Sequence, residues 1–380
     1  MRARPGGLVA AGSAAFAAGF GALAVLQHRA FWSGRFDLGN AVQAVWSTAH
    51  GDALSVTGLP GVQISRLGAH FEPILAAFAP LWWVWPDASL LLVVQAAAVA
   101  TGAVPVYLLG RKHLASDWAA AGFALAYLLH PATQWLVLDD IHAVALATPL
   151  LLWGFWFLDD GRLLPFAGVA LLACLTKEEI GLVVAAMGLW YMLRPGRRWA
   201  GGAIAAGGLA VTVVALAVVI PHYSISGGSR FEGRYEGVGG SPSGILETAV
   251  TDPGAIVAAA THGRDLAYLA DLLLPLLALP LLAPLAALTA APELALSLLS
   301  DTRTQTSIHF HYTAGALPGL MVAAVLGEAR WIAVDLRRPS YRDQLGHGEE
   351  LERAVAALRA GGRYDVVFDE DGVLVLHRIR

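Results

Sequence analysis

Four groups of ionisable residues stand out from an otherwise apolar chain: Asp37; His70 and Glu72; Asp139, Asp140 and His142; and Lys177, Glu178 and Glu179. His309, His311 and Tyr312 form a fifth. Ionisable groups at membrane depth are costly, so each is a functional candidate. Carboxylates of this kind can take the proton of an acceptor hydroxyl or hold a divalent metal. Lys, Arg and His can neutralise the phosphate of a leaving group. A site assembled from several loops on one membrane face is what an enzyme acting on a lipid-linked substrate needs.

Most of these groups also have a plainer role. Asp37 leads a short amphipathic helix, with Leu38, Ala41, Val42 and Val45 on one side and Asn40, Gln43 and Ser47 on the other. Such a helix lies along a membrane surface instead of crossing it. Asp is a preferred N-cap, and on spacing alone the cap is favoured over the catalyst. Thr176-x-x-Glu179 matches a capping box. Lys177 and Glu178 have no such role and would be costly if buried unpaired. Asp140-x-His142 has a spacing open to a metal, with a solvated hairpin tip as an equal reading. His309-x-His311 is a weaker pattern of the same kind.

The elements that must carry these groups are mostly membrane helices. Of 380 residues 57% are hydrophobic and only 14% charged, against about 25% in soluble domains. The net charge of -4 sits in loops and points to no nucleic-acid partner. The one cysteine, Cys174, lies in an apolar run and excludes an internal disulfide and a Cys-based metal site. Leu8 to Leu26 reads as an uncleaved first span, started inside by Arg2 and Arg4. The polar segment from Phe31 to Pro73 then lies outside, within an external loop over 27–87 that holds juxtamembrane helices and ends in a Trp-rich interfacial piece.

Leu90 to Gly110 is the second span, and Arg111 and Lys112 mark a cytoplasmic end. Trp118 to Leu158 has room for a hairpin with the DDIH tip outside. Leu163 to Leu193, interrupted at Thr176 to Glu179, reads as a second hairpin with a recessed tip, because a single span would put Arg194, Arg197 and Arg198 outside. Ala200 to Ile220 crosses outward to a Gly/Ser-rich external loop over 221–265. Leu266 to Leu299 is bent by prolines, and the last span runs from Ala314 to Gly327. Roughly ten spans of uneven length result. From Trp331 the pattern changes to strand, amphipathic helix and hairpin, so 331–380 is expected to form a small soluble α/β tail beside a transmembrane domain over 1–330.

The blocks FDLGNAVQAVWSTAHG, AHFEPILAAFAPLWW, LDDIH, LTKEE and HYTAGALPGL, in this order, resemble an uncharacterised integral-membrane family, domain of unknown function 2079. That family is similar to the GT-C superfamily of polyprenyl-phosphate-sugar-dependent glycosyltransferases. The resemblance covers roughly residues 30 to 330 and implies an all-α, polytopic, GT-C-like fold in a cytoplasmic membrane, and the many Ala, Gly and Arg residues point to a bacterial source. It implies Asp37 as catalytic base, Lys177 and His311 on the phosphate side, and His70, Glu72, Glu178 and Tyr312 as further substrate contacts. Asp140 and His142 become metal or acceptor contacts, with Mg or Mn as the cofactor. The partners implied are a polyprenyl-phosphate-linked sugar, the bilayer, and a glycan, lipid or protein acceptor. Two features depart from the family pattern. Ile141-His142-Ala143 stands where the family has FHP, and the tail follows Gly327 to Arg330 directly where family members carry further membrane helices. Two rivals are a transporter, with its charges along a mid-membrane path, and a non-catalytic scaffold of an envelope complex.

Overall fold

In a bilayer every backbone polar group must find its partner within the chain, and uncharged apolar runs therefore coil. The structure, a computed structural model, describes residues 4–33, 36–58, 61–114, 116–225, 232–327, 331–335, 353, 355–356, 358–362, 364–370 and 373–378. Among the described residues three helices are long and apolar enough to cross a membrane: Pro5–Arg29, Ser89–His113 and Arg198–Tyr223. At about 1.5 Å per residue each exceeds the roughly 30 Å hydrocarbon core. Asp117–Leu129 and Pro131–Leu138 make a fourth if counted as one span, bent by 43° at Pro131. The His130 side chain caps the second piece, accepting the Ala132 N–H at 3.1 Å. Leu8, Leu23 and Leu26 on the first helix, and Leu209, Val213 and Val218 on the Arg198–Tyr223 helix, are exposed in the way a lipid solvent would permit.

Polar contacts mark the two ends of this bundle. At one end the Asp159 side chain, 2% exposed, meets Lys112 at 2.9 Å, His113 at 2.9 Å and Arg194 at 2.7 Å. The Ser89–His113, Ala143–Asp159 and Ile180–Met192 helices all finish there. Leu163–Cys174 starts just after Asp159 and runs away from that end, and Ile180–Met192 returns to it. The chain therefore forms the hairpin expected over Leu163 to Leu193. Its arms have 12 and 13 residues, short of the ~20 a crossing needs. The tip is accordingly sunk in protein, with Thr176 fully buried.

The returning arm is locked to the Arg198–Tyr223 helix by glycines. Gly181 faces Gly208 and Gly188 faces Gly201 so closely that a methyl at any of them would meet the other helix's backbone. Small residues permit such backbone contact between membrane helices, which gains dispersion contacts where lipid offers no hydrophobic drive. Gly208→Val is expected to lower stability by about 1–3 kcal/mol, read as thermal unfolding in detergent micelles.

Several expectations change in the structure. The last apolar run is Ala316–Leu326, only 11 residues, with every position from Ala316 to Val325 buried. A helix apolar all round and enclosed by protein is a core helix, not a lipid-facing span. The proline-rich stretch before it breaks into short helical pieces, with Leu277 and Ala278 left-handed at φ 54° and 55°. The 221–265 region carries the helices Pro242–Thr251 and Pro253–Ala259, capped by the side chains of Ser241 and Asp252. Residues 226–231 of its Gly/Ser-rich part fall outside the described residues.

The chain divides into two compact units, 1–326 and 327–380. In the second unit Val373–Arg378 is the middle strand of an antiparallel sheet, flanked by Trp331–Asp335 and Tyr364–Glu370. Leu374 and Leu376 pack with Val355, Leu358 and Tyr364. The expected amphipathic helix of this unit, and the turn at Asp371-Gly372, lie largely outside the described residues.

Candidate functional site

Asp37 lies in the first turn of the Phe36–Ala49 helix, where a carboxylate also meets the positive end of the helix dipole. The helix buries Leu38, Ala41, Ala44 and Val45. Ser47, expected on the polar side, is buried too, because its hydroxyl donates to the Ser55 carbonyl at 2.8 Å. Ser55–Thr57 and Gln63–Ser65 form a short antiparallel hairpin. Gln43 fastens it to the helix, accepting the Thr57 N–H at 2.9 Å and donating to the Thr57 hydroxyl at 2.8 Å.

Between helix, hairpin and the recessed 175–179 tip lies a cavity of about 250 Å³. Asp37, His70, Glu72 and His142 line it, as do Lys177, His311 and Tyr312. Glu178 and Asp140 are not in its wall. Glu178 instead anchors the loop before Pro73, accepting from His70 Nδ1 at 2.8 Å and from the Phe71 N–H at 2.9 Å. Glu72 is taken by Arg66 at 2.7 Å in a buried pair. The capping box expected of Thr176 and Glu179 does not form. The Thr176 hydroxyl donates to the Ala173 carbonyl, and Glu179 pairs with Lys177 at 2.7 Å. A buried ammonium outcompetes a cap for the carboxylate, because leaving it unpaired costs more than a lost hydrogen bond.

The Asp139–His142 turn is the other half of the site. Asp140 is left-handed at φ 67°, which Asp tolerates better than most residues. The buried Gln95 amide holds the turn, donating to the Asp140 carbonyl at 2.7 Å and accepting the His142 N–H at 3.0 Å. Of the two neighbouring carboxylates in this turn, Asp139 is the one that meets histidine side chains. Its Oδ2 accepts the His311 N–H at 2.9 Å and lies 3.2 Å from His311 Nδ1. Burial pushes the Asp139 carboxyl up to about 6, and burial also holds His311 well below the usual histidine range. Asp37 is shifted the other way. The His142 imidazole beside it, with Nε2 3.6 Å from Oδ2, outweighs partial burial and favours the carboxylate.

Sequence reasoning passed over Arg66, Gln95 and Arg234. Arg234 joins Lys177 around Tyr312: its Nη1 donates to the hydroxyl at 3.3 Å, and Lys177 Nζ lies 5.3 Å from the ring centre. Arg234 sits in a glycine-rich stretch with no periodicity to betray it. Gln95 is a long polar side chain in the middle of an otherwise apolar helix between Ser89 and Thr101, which is a signal the sequence carries. Gln95→Leu would leave the His142 N–H and the Asp140 carbonyl without this partner, and a loss of about 1–3 kcal/mol is expected in chemical unfolding.

These features define a polytopic helical membrane protein with a polar cavity at one end of its bundle. The family model described as predicted membrane protein (DUF2079) matches residues 27–345, and the chain belongs to that family. None of the curated proteins and none of the solved structures matches it.

Proposed function

We propose that this membrane protein is a GT-C-type glycosyltransferase, moving a sugar from a polyprenyl-phosphate donor to an acceptor hydroxyl on the outer face of a bacterial cytoplasmic membrane. The observation that carries the reading is one cavity with the Asp37 carboxylate in its wall together with the cations Lys177, Arg66 and Arg234. The opposite end of the bundle holds Arg111, Lys112, Arg162 and Arg194, which by the positive-inside tendency faces the cytoplasm. The cavity then opens outward, with the Phe36–Ala49 helix along the membrane surface. Its volume is below the ~300–1,000 Å³ of sites for drug-sized ligands, enough for a sugar-phosphate headgroup with the prenyl chain left in lipid.

In this reading Asp37 takes the proton of the acceptor hydroxyl as its oxygen attacks the anomeric carbon. The carbon–oxygen bond to phosphate breaks, and polyprenyl phosphate leaves with the bonding pair. Lys177, with Arg234 beside it, offsets the charge that develops on that phosphate. His70 and Glu178 hold the loop that bears Glu72, and Tyr312 spaces the two cations. The buried Lys177 and Glu293, with the half-buried Glu179 paired to Lys177, favour a second reading, a transporter with these charges on its path. The test is transfer in membranes from a panel of radiolabelled polyprenyl-phosphate sugars. Label moving to an acceptor supports the transferase, and no transfer from any donor sinks it.

A further inference from the structure

Asp139, His142 and His311 bring one carboxylate oxygen and two imidazole nitrogens within 4.8 Å of one another. Nδ1 of His311 is 3.2 Å, and Nδ1 of His142 3.8 Å, from the same atom, Asp139 Oδ2. Donors bound at about 2.0–2.1 Å to one ion stand roughly 2.8–3.4 Å apart at right or tetrahedral angles, so small inward shifts close this set on a metal. The imidazoles stack with centroids 3.6 Å apart and planes inclined by 20°, and both place Nδ1 near Asp139 Oδ2. Nδ1 of His142 is buried and has no hydrogen-bond partner, leaving a ligand atom without a use inside the protein.

The surroundings also match what a metal site requires. Ligating histidines usually present their second nitrogen to a carboxylate or carbonyl that fixes the ring. Here His142 Nε2 faces Asp37 Oδ2 at 3.6 Å. The backbone N–H of His311 orients Asp139, and Gln95 fixes the backbone of His142.

We propose that Asp139, His142 and His311 bind one first-row transition-metal ion in the wall of the cavity, with Asp37 as the outer carboxylate that orients His142. Two imidazoles and one carboxylate select zinc, cobalt, iron or manganese over magnesium and calcium, which prefer all-oxygen sets. The ligand triad replaces the Asp140–His142 pair expected from spacing. It stands independently of sugar transfer, since binding is measured directly.

The test uses the full chain in nanodiscs, stripped with chelator and titrated with Co²⁺. About one Co²⁺ per chain is expected, with a visible d–d absorption band that Zn²⁺ displaces and equimolar Mg²⁺ does not. His142→Ala and His311→Ala should each weaken binding more than tenfold and abolish the band. Asp37→Asn should weaken it by about 10–100-fold. His309→Ala, two residues from His311 but packed against Trp135, should bind as the wild type does. A second readout does not depend on the variants folding: Zn²⁺ should protect His142 and His311 of the wild type from diethyl pyrocarbonate, followed by peptide mass spectrometry. A wild type that binds no stoichiometric Co²⁺, a band that survives both histidine substitutions, or absence of protection would overturn the site.

Discussion

Asp37→Asn, if Asp37 is the general base of the proposed transfer, is expected to leave the protein folded and to cut sugar transfer by about 10²–10⁴-fold, the usual range for loss of a positioned general base. The substitution nearly preserves shape. The Asp37 side chain is 44% exposed and its contact with His142 is 3.6 Å long, so the stability change should stay within about 0–1 kcal/mol. Thermal unfolding of both proteins checks the first statement and the radiolabel assay the second. Because Asp37 also faces His142, the assay should be repeated with the metal in excess. Transfer that stays lost at saturating metal makes Asp37 the base. Transfer that returns makes it a positioning residue that acts through His142. A base also shows itself in kcat with KM little changed, since the proton is taken only as the bond forms. Wild-type rates in the variant at any metal concentration would remove Asp37 from the reaction.

The membrane character and several helix limits were legible because long uncharged runs have one stable form in lipid. The Leu163–Leu193 hairpin could be argued from the positions of Thr176 to Glu179 and of Arg194 alone. Other features turned on partners far away in sequence. Whether Asp139 or Asp140 meets a histidine is a choice between neighbours, settled by the left-handed turn at Asp140 and by Gln95 on a different helix. That Asp37 lines the cavity depends on segments far from it in sequence, which local patterns do not reveal. Ala316–Leu326 read as a span because an apolar run looks the same facing lipid or facing protein. Arg66 and Arg234 lie in short 3-10 turns between the longer elements, too short for periodicity to assign a face.

The larger structural effect belongs to Lys177. Its ammonium pairs with Glu179 at 2.7 Å, both side chains being nearly buried, and Glu293 is buried with one oxygen lacking a partner. Lys177→Met removes the cation and leaves Glu179 charged in a poor solvent, which typically costs about 3–5 kcal/mol. A marked fall in unfolding temperature and in expression is expected. Adding Glu179→Gln removes the stranded charge, so the double variant should be more stable than Lys177→Met alone, a coupling that a double-mutant cycle measures. If Lys177 meets the donor phosphate as proposed, transfer should nevertheless remain lost in the double variant, which still lacks that charge. If the double variant transfers at the wild-type rate, Lys177 serves only the fold. Lys177→Arg bears on the same point: it keeps the charge but replaces a compact ammonium with a planar fork, so partial transfer is expected. The transporter reading predicts a different pattern. A path through the buried pair should be closed by Glu179→Gln alone, and substrate uptake should fall while the cavity still binds metal.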